Sequence, residues 1–184
     1  TGSGCIAISL AKNLPNAQVS AIDVSDLAFA KAKLNAKLNE VEIDFLLQDI
    51  LQTQDLSDNY DIIVSNPPYV RNLEKVEIKQ NVLQNEPHLA LFVEDDEPLI
   101  FYEKITQLAQ KYLNSKGYLF FEINQYLGNE TVKMMKHYNF REVILKKDIY
   151  DMKFVWFISV TVILIGICLS FLYSFTAARL ILFV

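Results

Sequence analysis

A chain of 184 residues is long enough for one domain with a real core, and 52% hydrophobic against 21% charged residues is richer in apolar side chains than an ordinary soluble domain. The net charge is −5, and Asp151, Lys153 and Arg179 together add one positive charge, so residues 1–150 carry −6. That balance speaks against a surface built to neutralise many phosphates, and hence against a nucleic-acid partner. Cys5 lies in a glycine-rich turn and Cys168 in an apolar tail; they give no disulfide framework, and a reducing compartment follows.

The chain starts at Thr1, without a methionine and inside a loop, and reads as part of a longer protein. Ile6 to Ala11 has the spacing of a short helix, ended near Asn13-Leu14-Pro15 because a proline disfavours helical backbone at the residue before it. Ala17 to Ile22 reads as a strand ending in Asp23. Ser25 is a candidate N-cap for a helix through Ala28, Ala32, Leu34 and Leu38, with Lys31, Lys33 and Lys37 on its wet side. Ile43 to Leu47 and Tyr60 to Val64 are strands ending at Asp49 and Asn66. The polar stretch Arg71 to Asp96, with its Glu86-Pro87, lacks periodicity and reads as a substrate-facing loop or lid. Pro98 to Leu113 is helical, Lys116-Gly117 turns, and Tyr118 to Ile123 is an apolar strand leading to Asn124-Gln125. A helix over Leu127 to Tyr138 and a strand over Phe140 to Leu145 follow. From Phe154 to Ala178 no residue is charged, and at about 1.5 Å per helical residue the run would cross a hydrocarbon core of roughly 30 Å. It is a transmembrane candidate.

Strands alternating with helices predict an α/β fold, a mostly parallel sheet with helices on both faces, in which ligands bind at the carboxyl ends of the strands. Asp23, Asp49, Asn66 and Asn124-Gln125 all fall at such ends. Thr1-Gly2-Ser3-Gly4 lies directly before a helix, where glycines let a ligand approach the backbone and free N–H groups attract an anion. A plain tight turn explains those four residues equally well. Asp23, about 20 residues on, can accept hydrogen bonds from both ribose hydroxyls of a nucleoside, which fits either NAD or S-adenosylmethionine.

Asn66-Pro67-Pro68-Tyr69 separates these two. Methyl transfer onto a planar amide or amino nitrogen requires two acceptors that hold the NH₂ by its hydrogens. The Asn66 side-chain carbonyl and the Pro67 backbone carbonyl supply them, while Pro67 and Pro68 fix φ and keep both oxygens still. Tyr69 can stack on the flat group as positive charge develops. Glu122 and Gln125 can orient the site or serve as buried polar groups satisfied by backbone. His88 and His137 belong to no metal-binding spacing and read as surface or packing residues, Phe120-Phe121 reads as core, and no metal is expected.

The ordered set TGSGCIAISLAKNLPNAQVSAIDVS, QDIL, DIIVSNPPYV, NEPHLAL, FYEKI and GYLFFEINQ resembles the HemK/PrmC family, protein-(glutamine-N5) methyltransferases of peptide chain release factors, across roughly residues 1–150. The resemblance implies a Rossmann-like class I methyltransferase, with Thr1, Gly2, Ser3, Gly4, Asp23, Asp49, Ile50 and Asn66 binding S-adenosylmethionine. Gly2 and Gly4 would lie beside its methionine part, Asp23 at the ribose, and Asp49 with the Ile50 backbone near adenine. Asn66, Pro67, Pro68 and Tyr69 would receive the glutamine of a Gly-Gly-Gln loop, in a cytoplasmic, monomeric enzyme. Related tetrapeptides occur in nucleic-acid amino-group methyltransferases, so that substrate, a ribosomal-protein glutamine, or an inactive membrane-anchored binding protein are the alternatives.

The chain departs from the family at both ends. The family's first strand and its helical amino-terminal docking domain are missing before Thr1, which predicts unpaired backbone and a gap in the middle of the sheet, with poor cofactor binding. After residue 150, the apolar tail 151–184 replaces a polar turn and a last antiparallel strand. Met152 to Val160 could still form that strand. Otherwise the tail is an apolar helix anchoring a catalytic domain that Lys146, Lys147 and Lys153 would keep cytoplasmic, or the product of a shifted reading frame, the reading favoured for a family whose substrates are soluble.

Overall fold

The computed structural model describes residues 1–78, 87–147, 155–156 and 178–183. Helix α1 (Cys5–Asn13) ends as Leu14 donates its N–H to the Leu10 carbonyl at 2.9 Å, just before Pro15. Strand β1 (Gln18–Asp23) leads to α2 (Asp26–Leu38), whose N-cap is Ser25: its Oγ accepts the Ala28 N–H at 3.3 Å. Then come β2 (Asp44–Leu47) and β3 (Tyr60–Ser65).

Within the expected loop, β4 (Val70–Arg71) and a 3₁₀ turn (Asn72–Glu77) face α3 (His88–Leu91) and β5 (Phe92–Val93), with β4 and β5 paired in parallel; residues 79–86, including Glu86, lie outside the described residues. Helix α4 (Ile100–Tyr112), strand β6 (Leu113–Phe121) and helix α5 (Gly128–His137) follow, then β7 (Lys146–Lys147) antiparallel to β8 (Val155–Trp156), and last β9 (Arg179–Phe183).

Five strands form one sheet in the order β2-β1-β9-β3-β6, and every neighbouring pair is parallel. Both faces are covered, as an all-parallel sheet requires. Val19, Ala21, Ile62, Val64, Leu180 and Leu182 point to the α1 side, where Ala7, Leu10 and Leu14 meet them. Ile22, Ile63, Phe121, Ile181 and Phe183 point to the other side, against Tyr102, Ile105 and Leu108 of α4 and Met134 and Met135 of α5.

The gap expected in the middle of the sheet is therefore not there. β9, from the tail, occupies it: Ile22 pairs with Phe183 on one side and Ser65 with Phe183 on the other. Residues 179–183 are uncharged after Arg179 and alternate between two buried faces, so a run that resembles membrane sequence satisfies a central parallel strand equally well. A boundary at residue 150 consequently does not leave the sheet whole. Val155–Trp156, inside the candidate span 154–178, is paired as a strand, and residues 157–177 lie outside the described residues. No helix among the described residues is long and apolar enough to cross a membrane.

Two smaller expectations fail for identifiable reasons. Lys116-Gly117 is not a turn but part of β6, at a register shift where Tyr60 faces Leu113 and Ile62 faces Tyr118. Glycine is needed there for close approach, since a Cβ at Gly117 would stand 2.8 Å from the Asp61 carbonyl oxygen. Phe140 to Leu145 forms no strand, because Asn139 just before it and Glu142 within it adopt positive φ of 63° and 53°, which breaks an extended backbone.

Candidate functional site

The parallel arrangement puts Asp23, Asn66 and Glu122 at one edge of the sheet, each directly at or after the carboxyl end of its strand. The Thr1–Gly4 turn closes on itself through a Gly4 N–H to Thr1 carbonyl bond of 3.0 Å and then opens into α1. Gly2 and Gly4 have φ of +56° and +81°, and a Cβ on Gly4 would lie 3.1 Å from the Ala32 Cβ, so the turn fits against α2 only with glycine there. Asn35 of α2 fastens it by donating Nδ2–H to the Ser3 carbonyl at 2.8 Å. Gly4→Ala is expected to lose about 1–2 kcal/mol from left-handed strain alone; an unchanged thermal midpoint would contradict this fit.

Asp23 is buried and braces the same turn: Oδ2 accepts from the Thr1 and Gly2 nitrogens, each at 2.7 Å, and Oδ1 accepts the Ser25 N–H at 2.8 Å. Burial opposes its ionisation, but the hydrogen bond and positive charge of the Thr1 terminal ammonium, followed by the Ser25 and Gly2 N–H groups, hold the carboxyl below the usual carboxylate range. A carboxylate offers about four lone-pair sites, so one acceptor position remains beyond the three in use, enough for one ribose hydroxyl and not for the two expected from the sequence. Asp49 is half-buried and forms a local turn, Oδ1 accepting the Leu51 N–H at 2.9 Å, while the Gln48 N–H joins the ends of β2 and β1 by donating to the Asp23 carbonyl at 2.9 Å. The Ile50 side chain belongs to the same buried core cluster as Ile22, and its carbonyl accepts the Thr53 N–H at 3.3 Å.

Asn66 is fixed from the main chain, its N–H donating to the Phe183 carbonyl of β9 at 3.2 Å. Pro67 and Pro68 are buried. Among the described residues, neither the Asn66 side-chain amide nor the Pro67 carbonyl has a hydrogen-bond partner. Two acceptors at a strand end, on backbone locked by prolines, are thus available to a ligand.

Tyr69 is held at three points. Its N–H donates to the Leu91 carbonyl at 3.2 Å, its carbonyl accepts from Asn124 Nδ2 at 2.8 Å, and its hydroxyl donates to Glu122 Oε1 at 3.0 Å. Burial first, and then the Glu122 carboxylate, push the Tyr69 phenol well above its usual range, so it stays a donor. Burial likewise raises the Glu122 carboxyl, against the pull of the Tyr69 hydrogen bond.

Behind this lies a polar cluster that the sequence did not single out. Asn124 Nδ2 also donates to Glu74 Oε2 at 2.8 Å, and Glu74 pairs with Arg71 through an Nη2 to Oε1 contact of 2.9 Å while accepting the Arg71 N–H at 2.8 Å. Burial opposes a charge on Glu74, yet Arg71 and Asn124 together keep its carboxyl below the usual range. The available signal was Glu74 three residues after Arg71, at the N3 position of the 3₁₀ turn.

His88 and His137 are exposed, His88 resting on Phe92 at 5.2 Å between ring centroids. Gln125 is half-buried beside the site, with no bond to Tyr69. Cys5 is exposed, its Sγ 3.0 Å from Ser3 Oγ. A cavity of about 670 Å³ lined by Leu113, Gly117, Tyr118, Met135, Tyr138 and Ile144 runs along β6 as far as Phe120, and none of the site residues named above lines it.

The family described as "Methyltransferase small domain" matches residues 1–94. The chain is 68% identical over 150 residues to the release factor glutamine methyltransferase of Flavobacterium psychrophilum, a match that covers 82% of this chain and 53% of that protein. It is 48% identical over 151 residues to the protein of the same name from Bacteroides thetaiotaomicron, covering 82% and 54% of the two chains. Against a bifunctional methyltransferase of Rickettsia bellii it is 40% identical over 124 residues, covering 67% of this chain and 22% of that one. The chain spans about half the length of the release factor glutamine methyltransferases it matches.

Proposed function

We propose that this chain, which belongs to the methyltransferase small domain family, is the catalytic part of an S-adenosylmethionine-dependent enzyme that methylates the side-chain nitrogen of the Gly-Gly-Gln glutamine in peptide chain release factors. The observation that carries the reading is the pair of acceptors without a partner among the described residues, the Asn66 side-chain oxygen and the Pro67 carbonyl, at the end of β3. A primary amide presents two N–H groups in one plane, and two rigid acceptors take both. The relatives named as release factor glutamine methyltransferases support the same substrate class, and a translation factor substrate places the reaction in the cytoplasm.

The residues present fit the cofactor: a turn with two glycines at positive φ before a helix N-terminus, and a buried carboxylate with an acceptor position to spare. Gly2 and Gly4 would lie beside its methionine part, Asp23 would hold the ribose, and Asp49 with the Ile50 backbone would border the adenine. When bound, S-adenosylmethionine supplies the methyl group as an electrophile. Asn66 and Pro67 hold both amide hydrogens through their oxygens, which leaves the nitrogen lone pair facing the methyl group, and one N–H proton is released to solvent as the N–C bond forms. Their oxygens also stabilise the positive charge that builds on the NH₂ as it is alkylated. Tyr69 provides a flat face for the amide.

Asp23→Ala should weaken S-adenosylmethionine binding about tenfold or more, the scale of a lost hydrogen bond to a charged group, measured by titration calorimetry. An unchanged dissociation constant would refute the ribose assignment. The function itself is tested by incubating the protein with tritiated S-adenosylmethionine, purified release factor, ribosomal proteins and ribosomal RNA in separate reactions. Label on the release factor is the expected result. Label on a ribosomal protein or on RNA alone would overturn the substrate assignment.

A further inference from the structure

We infer that Glu122 is a positioning residue for methyl transfer: it acts through the Tyr69 hydroxyl to fix the face against which the substrate amide packs. The inference rests on the proposed methyl transfer at Asn66 and Pro67.

The geometry is that of a clamp with the reacting side left open. The Tyr69 backbone is held on one side by Leu91 and on the other by Asn124, at 3.2 and 2.8 Å. Backbone restraint alone leaves the two side-chain torsions of a tyrosine free to turn. Glu122 removes that freedom by accepting the hydroxyl proton at 3.0 Å. The Glu122 backbone is in turn fixed, because its N–H donates to the Ser65 carbonyl at 2.9 Å and its carbonyl accepts the Tyr102 hydroxyl at 3.1 Å. Ser65 is the residue directly before Asn66. One residue of the β6 end therefore ties together the backbone that carries the amide acceptors and the ring that carries the stacking face.

A structural role alone would make Glu122 matter for stability and nothing else. A positioning role makes it matter for the rate at saturating substrate, since displacement of about 1 Å in such a site costs on the order of 100-fold. Glu122→Gln keeps an acceptor oxygen of the same reach, whereas Glu122→Ala removes it.

The test compares Glu122→Ala, Glu122→Gln, Tyr69→Phe and the double variant Tyr69→Phe/Glu122→Ala in the intact protein. The expected result is a fall in kcat of about 10- to 100-fold for Glu122→Ala with the cofactor dissociation constant nearly unchanged. Glu122→Gln should recover most of the loss, and Glu122→Ala should add little once Tyr69→Phe is present. Additive losses, or a Glu122→Gln variant as impaired as Glu122→Ala, would overturn the inference. The clamp is read separately by ¹⁹F NMR of protein labelled with 3-fluorotyrosine, the Tyr69 resonance being the one lost in Tyr69→Phe. It should move or broaden in Glu122→Ala and hold its place in Glu122→Gln; an unmoved resonance in Glu122→Ala overturns the clamp. This ¹⁹F response in the variants, together with a wild-type protein that transfers no methyl group to release factor, would sink the proposed function while leaving the clamp standing.

Discussion

Asn66→Ala is expected to leave S-adenosylmethionine bound with nearly native affinity while methyl transfer falls by about 100-fold or more, the scale seen when a preorganised polar group is removed from a developing charge. The separation follows from how Asn66 is held. Its position depends on the N–H bond to the Phe183 carbonyl and on the two buried prolines behind it, none of which involves the side chain. The alanine variant therefore keeps the turn and the Pro67 acceptor and loses only one of the two oxygens that orient the amide. Calorimetry gives the affinity and a radiolabel assay the rate. Parallel loss of both would make Asn66 a structural residue of the cofactor site and remove the main support for amide chemistry.

Ile181→Asp is expected to unfold the protein. Ile181 is 0% exposed, in the middle of β9, and faces the core formed with α4 and α5. An unpaired carboxylate there costs several kcal/mol even after protonation, against a total stability of about 5–15 kcal/mol for an ordinary domain. Removing the whole segment 178–184 goes further, since it takes away the four nearly fully buried side chains Leu180, Ile181, Leu182 and Phe183 and leaves β1 and β3 each with an unpaired edge in the sheet interior. At about 1.5–3 kcal/mol per buried large apolar side chain, that loss alone is of the size of the total stability. A peptide with the sequence of residues 178–184, added in trans, should restore part of the cooperative transition by inserting as a parallel strand between β1 and β3. Circular dichroism melting decides the matter: a truncated protein with a native melting curve would mean that β9 is dispensable and that the sheet closes without it.

The Asp23 and Gly4 substitutions have smaller expected effects because each touches one side of the same turn. Asp23 holds it by three hydrogen bonds from neighbouring nitrogens, and Gly4 by the absence of a side chain facing Ala32.

How much of this was legible beforehand differs by region, and the reason is physical. Local signals worked where the chain decides locally: Ser25 caps α2, the helix through Ile6 to Ala11 stops before Pro15, and the apolar Tyr60 to Val64 run becomes β3 with Asn66 just beyond its end. Asn66-Pro67-Pro68-Tyr69 was readable because prolines and a primary amide impose their geometry with little help from elsewhere.

The last strand was not legible. Arg179 to Phe183 continues an apolar stretch, and a strand buried on both faces has no polar alternation to distinguish it from a membrane segment. Only the vacancy between β1 and β3, a property of the whole sheet, gives it a place. Gly117 misled for a related reason: a glycine marks a turn in most sequences, but here it marks the point where β6 passes against the Asp61 carbonyl. The Arg71, Glu74 and Asn124 cluster was hidden because its members are 50 or more residues apart between Glu74 and Asn124, and only the tertiary fold turns three ordinary polar side chains into one buried network.

The central claim is that the rigid pair of acceptors at Asn66 and Pro67 serves a side-chain amide. It is tested most directly by mass spectrometry of release factor after incubation with this protein and S-adenosylmethionine, mapping the modified atom within the Gly-Gly-Gln peptide. One methyl group on the side-chain nitrogen of that glutamine is the predicted result. A methyl group on a lysine, an arginine or a carboxylate, or none on a release factor that another methyltransferase still modifies, would contradict it.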